Sequence, residues 1–243
     1  MSFSIHALAL PTEPLIFQPE ALSIRDRLPR GEWRHELPVL HGEGVELREV
    51  RRSDAASLYT MLTAREVARF ITAPPASVGG FERFVEYAHR RRSQGEFACF
   101  AVVPQGLRTA VGIFQVRALD AACSTAEWGF ALGSPFWGRG LFSEGAHMVM
   151  EFAFEEMGAN RLEARAVVAN ERANGALRKV GARKEAVLRQ SMAKGGCLYD
   201  EHLWAIVETD WRRANGPWRP DDAPMIRQPH ESETSGPWEG LVH

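Results

Sequence analysis

The chain has 243 residues, is 45% hydrophobic and 25% charged, and carries a formal net charge of −2. That is enough chain for one well-packed domain with extensions, in an ordinary globular composition. The near-neutral charge argues against a nucleic-acid partner, no apolar run reaches membrane-spanning length, and the opening residues lack the basic n-region and apolar core of a signal peptide. Three scattered cysteines, Cys99, Cys123 and Cys197, form no C-x-x-C. This fits packed thiols in a reducing, cytoplasmic compartment and argues against zinc. The eight histidines form no H-E-x-x-H pair, so no metal is expected.

In chain order, residues 1–41 are proline-bearing and without a clean period, and read as an N-terminal extension. Residues 44–50, G-V-E-L-R-E-V, alternate apolar and charged as a half-buried strand does. Ser53 then suits a helix N-cap and Asp54 its first turn, with Leu58, Met61 and Leu62 at helical spacing. After the breaker at 73–77, Phe81, Phe84, Val85 and Ala88 predict a second helix over 80–92. Three strands follow at 97–103, 109–117 and 124–132. A helix from Leu141 to Met157 carries Phe142, Ala146, Val149, Phe152 and Ala153 on one face and ends at Gly158. Then come a strand over 162–168, a helix over 170–180 closed by Gly181, and strands at 184–188 and 197–207 joined through Lys194-Gly195-Gly196. From 213 the composition turns to Pro, Asp, Glu and Ser, as in a flexible tail. The domain is therefore expected over 42–212.

The loop ending in Gly138-Arg139-Gly140 lies between a strand and a helix. Bare backbone N–H groups at the positive end of a helix dipole suit an anion, most often a phosphate. A Walker loop is excluded because no Lys-Ser or Lys-Thr follows Gly140, and a dinucleotide-binding turn fails because position 143 is Ser143.

The element order, with A-E-W-G-F-A-L at 126–132, F-W-G-R-G-L-F-S-E-G at 136–145 and N-R-L-E-A-R at 160–165, resembles the GNAT superfamily of N-acetyltransferases. The similarity is to its RimJ/RimL-like, ribosomal-protein-alanine acetyltransferase type. Asn170, Gly181, Glu185, Leu188-Arg189 and Tyr199-Asp200-Glu201 leading to Trp211 continue it, so that it covers about 42–212. It implies an α+β fold: a mixed, mostly antiparallel sheet of about seven strands, helices on both faces, the fourth and fifth strands splayed.

It also implies acetyl-CoA as co-substrate, with Gly138, Arg139, Gly140, Leu141 and Ser143 around the pyrophosphate. The pantetheine would lie along Phe130, Ala131 and Leu132, in a gap between strands 127–132 and 162–168. Asn170 and the neighbouring Asn174 would meet the CoA arm, Asn170 being equally a helix N-cap. Glu127 stands where some relatives carry a catalytic Glu, which would take the proton of the acceptor amine. A backbone N–H near Phe130 or Ala131 would meet the developing oxyanion. Where some relatives have a Tyr as general acid, this chain has Leu177, leaving Ser143 and Tyr199 as substitutes. Further departures are Ala173 for a Ser, Ala182 for a Phe and Pro135 for Gln or Arg. Glu144 reads as a charge complementing the helix N-terminus, and His202 as a satisfied structural histidine. The activity implied is acetyl transfer to a primary amine, a protein N-terminus or a small molecule, by direct attack in a ternary complex. A non-catalytic acyl-CoA sensor is the alternative, and a homodimer through the last strands is compatible with either.

Overall fold

The computed structural model describes residues 31–215. The chain divides into two units, 1–208 and 209–243. In the first, eight strands form one sheet: β1 (Leu40–His41), β2 (Val45–Glu49), β3 (Phe97–Pro104), β4 (Gly112–Ala118), β5 (Thr125–Leu132), β6 (Arg161–Val167), β7 (Arg183–Lys194) and β8 (Cys197–Val207). Their order is β1-β2-β3-β4-β5-β6-β8-β7, and every neighbouring pair is antiparallel except β5–β6. The helices are α1 (Ala55–Leu62), α2 (Arg65–Ala68), α3 (Val78–Ser93), α4 (Leu141–Glu155), α5 (Glu171–Lys179) and α6 (Glu208–Asn215).

Strand alternation sorts the layers. Phe97 meets Tyr87 of α3, with ring centroids 5.9 Å apart, whereas Phe100 meets Phe152 of α4 at 5.0 Å. Register then carries both faces across the sheet. Phe97, Arg117 and Glu127 share the α3 face, and Phe100, Phe114 and Phe130 share the α4 face. Phe142 of α4 stacks 4.2 Å from Phe130, which clamps the helix start onto β5. The α5 helix lies on the α4 face, through Asn174 against Trp204.

The first described residues depart from the expected extension. Trp33 and Leu37 are 2% and 3% exposed, and Trp33 packs edge-on against Phe152 at 6.1 Å. The two-residue β1 adds an eighth strand to the expected seven. A bridge that short has no period for sequence reading to detect. Residues 1–30 of the expected extension lie outside the described residues.

Ser53 is not the cap of α1. A 3-10 turn, Arg52–Asp54, precedes that helix, and Asp54 accepts the Arg51 N–H at 2.8 Å. Asp54 also holds Arg48 through two bonds of 2.8 Å, a buried bidentate pair tying β2 to α1. At the start of α3 a side-chain cap does form, Ser77 Oγ accepting Gly80 N–H. The expected strand 184–188 extends to Lys194, past an irregularity where Gln190 takes φ 50°. The four-residue α2 was not expected, being too short to show a period.

Within the second unit, α6 runs on through residues 209–215 as an amphipathic turn pair, with Arg213 bridging Asp210 at 3.2 Å. It crosses the expected boundary at 212, and the rest of the expected tail, 216–243, lies outside the described residues.

Candidate active site

Parallel pairing of β5 with β6 covers only Thr125–Arg161, Ala126–Leu162 and Glu127–Glu163. From Trp128 onward β5 keeps β4 but loses β6, which stays paired with β8. The two strands therefore splay one residue later than the sequence reading placed it. The antiparallel pattern assigns the backbone groups on β5. Leu119 N–H bonds Thr125 O and Gly133 N–H bonds Val111 O, so the pairs Arg117–Glu127, Gln115–Gly129 and Ile113–Ala131 face each other through hydrogen bonds. Phe130 and Leu132 then direct their N–H and C=O groups toward the gap, whereas the Trp128 N–H is spent on Glu163 O at the last β5–β6 rung. This corrects one expectation: the Ala131 N–H is spent on β4 and cannot meet an oxyanion. Leu132 O is also engaged, accepting Trp137 Nε1 at 2.7 Å.

At the open end of the gap the loop enters α4. Gly138 and Gly140 take φ 74° and 83°, left-handed values that a side chain would strain. Gly140 is the N-cap of α4, so the first amides of the helix face outward. A cleft of about 220 Å³ lies between this loop and α5, walled by Gly138, Arg139, Gly140, Leu132, Phe142 and Ser143 on one side. Arg172, Gly175, Ala176 and Lys179 form the other wall. Arg172 also sits 4.7 Å over the Trp137 ring, which fixes the loop to α5. Three cations and a helix N-terminus around one cleft suit a polyanion. Leu141 is 6% exposed, and it anchors the helix start rather than lining the cleft.

The side chains next to the cleft divide in role. Asn170 caps α5, its Oδ1 accepting Ala173 N–H at 3.2 Å. It is 3% exposed, and its Nδ2 has no partner among the described residues. Asn174, expected to touch the CoA arm, is fully committed inside the protein. Its Nδ2 donates to Asn170 O and Val167 O at 2.9 and 3.0 Å, while its Oδ1 accepts Trp204 Nε1 at 2.9 Å and pairs with His202 Nδ1 at 3.0 Å. His202 is thus a satisfied residue, its pKa lowered by burial and then by Lys184 and Arg178. Glu144 is likewise structural. Its carboxylate accepts Gly44 N–H at 3.0 Å, and a Cβ on Gly42 would come within 2.2 Å of it, so a side chain there would push the carboxylate aside.

The α3 face of the splay holds another set. Glu127, at the last rung of the β5–β6 ladder, accepts a hydrogen bond from Arg117 and lies 3.7 Å from Arg165 Nε. It is 9% exposed. Gln115 sits one cross-strand step beyond, opposite Gly129. Glu201 shares this face through Val167 and is fully buried, its Oε2 accepting Ser191 Oγ at 2.9 Å. The strand irregularity between Leu188 and Met192 turns Ser191 inward. Tyr199 lies on the same face of β8, partly exposed. Ser143 is not brought to Glu127: it lines the anion cleft, on the other side of the sheet. Sequence reading missed Arg172 and Lys179, although their i, i+7 spacing marks one helix face. It also missed Gln115, a lone polar residue in G-I-F-Q-V.

Acetyl-CoA joins a polyanionic end to an amide-rich arm. The cationic cleft, the outward helix amides and the unpartnered Nδ2 of Asn170 fit both parts. Comparison with known proteins agrees. Residues 45–183 match the acetyltransferase (GNAT) domain. The N-acetyltransferase YoaA of Bacillus subtilis (strain 168), itself uncharacterized, is 25% identical over 177 residues, covering 71% of this chain and 98% of YoaA. Among solved structures, Mycobacterium smegmatis RimJ in complex with CoA-disulfide has a TM-score of 0.63 at 22% identity, covering 68% of this chain and 83% of that one. A RimL ribosomal-protein alpha-N-acetyltransferase in complex with coenzyme A has a TM-score of 0.64 at 17% identity, covering 70% and 98%. At those identities the structures speak to the fold, and the family match carries the activity. The chain belongs to the acetyltransferase (GNAT) domain family and is an acetyl-CoA-dependent N-acetyltransferase.

Proposed function

We propose that the chain transfers acetyl directly to a primary amine of the acceptor, with both substrates bound together. The observation that carries this is the meeting of two faces at one gap: an anion cleft on the α4 side and a polar cluster around Glu127 on the α3 side. When bound, acetyl-CoA supplies an activated thioester. Gly138, Arg139, Gly140, Ser143, Arg172 and Lys179 hold its phosphates, and Asn170 donates to its arm. The Phe130 N–H, aimed into the gap by the strand pattern, is the donor for the developing oxyanion.

In this reading Glu127 takes the amine proton, through an ordered water. One guanidinium hydrogen bond occupies one of roughly four lone-pair sites on the carboxylate, which leaves room for a water. Arg117 and Arg165 hold it at the mouth of the gap. Direct attack is favoured over an acetylated cysteine. Cys99, in register with Gln115, is buried, and burial pushes its thiol well above the usual range, which makes it a poor nucleophile. With Leu177 buried where a Tyr would stand and the Ser191 hydroxyl spent on Glu201, the partly exposed Tyr199 is the hydroxyl assigned to the departing thiolate. The likeness to RimL, an alpha-N-protein acetyltransferase, supports a peptide N-terminus as acceptor. Three free cysteines support a cytoplasmic setting, and the outer strand β7 is open to pairing in a homodimer.

Thiol release from acetyl-CoA against N-terminal peptides, polyamines and amino acids tests this. Turnover with at least one acceptor is expected, with Glu127→Gln lowering kcat about a hundredfold and flattening its pH profile, within the usual range for a general base. Unchanged kcat in Glu127→Gln would remove that residue from the chemistry.

A further inference from the structure

Gln115 stands in the middle of β4, 2% exposed, and neither its Oε1 nor its Nε2 has a hydrogen-bond partner among the described residues. Buried amides are normally paired, because an unmet donor and acceptor in a core are costly. The strand around it is apolar: Ile113, Phe114 and Val116 are each at most 2% exposed. A leucine there would serve packing better, so packing does not explain the amide.

Its place in the sheet does. Alternation puts Phe114 on the α4 face, against Phe130 and Phe142. Gln115 therefore faces the α3 side, with Arg117 and Glu127. Its register partner on β5 is Gly129, which offers no side chain, and Gly129 lies just beyond the last β5–β6 rung. On the other side Cys99 supplies only a thiol, a weak partner for an amide. The unmet donor and acceptor thus sit beside the point where the sheet opens, one step from the proposed base.

We propose that Gln115 is a positioning residue for the acceptor. Its amide oxygen receives a hydrogen from the acceptor amine, and its NH₂ donates to a carbonyl oxygen adjoining that amine. The acceptor class is then an amine with a neighbouring carbonyl. Polyamines, which lack the carbonyl, satisfy only half of the pair. The inference rests on the transferase reading above.

The test compares L-alaninamide with isopropylamine, which keeps the branched amine and lacks the carboxamide. Wild type is expected to favour alaninamide in kcat/KM by about tenfold, the worth of one buried hydrogen bond at the upper end of its range. Gln115→Leu removes both polar groups. It should melt at or above the wild-type temperature, keep its KM for acetyl-CoA, raise KM for alaninamide about tenfold and lose the preference. Gln115→Met, unbranched and of similar volume, serves if the leucine variant does not fold. An unchanged alaninamide KM in a folded variant overturns the inference and leaves a buried water as the partner. Wild type that binds CoA yet acetylates neither amine overturns the amine-plus-carbonyl assignment alone. Wild type that neither binds CoA nor releases thiol overturns the transferase reading beneath it.

Discussion

The cleft on the α4 side and the cluster on the α3 side are built by different means. The cleft is mostly backbone and local sequence: two glycines in left-handed conformations, a helix N-terminus, and two cations seven residues apart on α5. The Glu127 cluster draws Arg117 from β4, Glu127 from β5, Arg165 from β6 and Glu201 from β8, brought together only by strand order and register. A site made of contiguous backbone can be read along the chain. A site made across four strands needs the topology first.

That contrast can be broken at the frame both regions share. Asp54→Ala leaves Arg48 buried and unpaired and should cost about 3–5 kcal/mol of unfolding free energy, the range for breaking one partner of a buried ion pair. Denaturant titration should show that loss, with CoA affinity retained in whatever fraction stays folded. A loss of CoA affinity in the folded fraction would tie the frame to the cleft.

Arg172→Ala with Lys179→Ala sharpens the cleft side. CoA affinity should fall about tenfold per cation, about 1.4 kcal/mol each, and the wild-type affinity should weaken with added salt. If the double variant binds CoA as wild type does, the anion lies elsewhere.

Glu144→Ala separates structure from binding next door. The carboxylate caps Gly44 and sits under Gly42, so its loss should cost about 1 kcal/mol of stability while KM for acetyl-CoA holds. A raised KM with unchanged stability would make Glu144 a ligand contact.

The smallest effect is a pH dependence through His202. Its folded pKa lies below the unfolded value of about 6.5, because burial disfavours the charged ring. The unfolded chain therefore binds more protons in that window, and stability falls as pH drops below about 6.5. His202→Asn should flatten that slope in melting curves recorded from pH 7.5 down to pH 5.

How far the sequence could be read follows the same division. Alternation and helical spacing placed the long elements within a few residues, except β7, whose irregularity hides its second half, and the glycine loop was visible because its geometry is written in adjacent residues. Asn174 misled because an Asn beside the expected contact position looks like a ligand, whereas its amide is consumed by Val167, Asn170, His202 and Trp204. Ala131 misled because which amides face the gap depends on the β4 register, not on composition. Ser143 and Glu127 are 16 residues apart in sequence but belong to opposite faces of the sheet. Trp33 and Leu37 carry no periodic signal, and only packing against α4 reveals that they belong to the core.

The central claim is that the loop through Gly138 and Gly140 holds acetyl-CoA, and calorimetric titration of CoA into wild type and Gly140→Val tests it most directly. A β-branched residue cannot hold φ near 83° without strain of roughly 1–2 kcal/mol or more, and although its Cβ meets open space, relief of that strain would turn the loop's amides away from the cleft. Saturable one-site binding to wild type, weakened about a hundredfold in a variant that still melts cooperatively, is the predicted result. Equal affinity for the two folded proteins would contradict it.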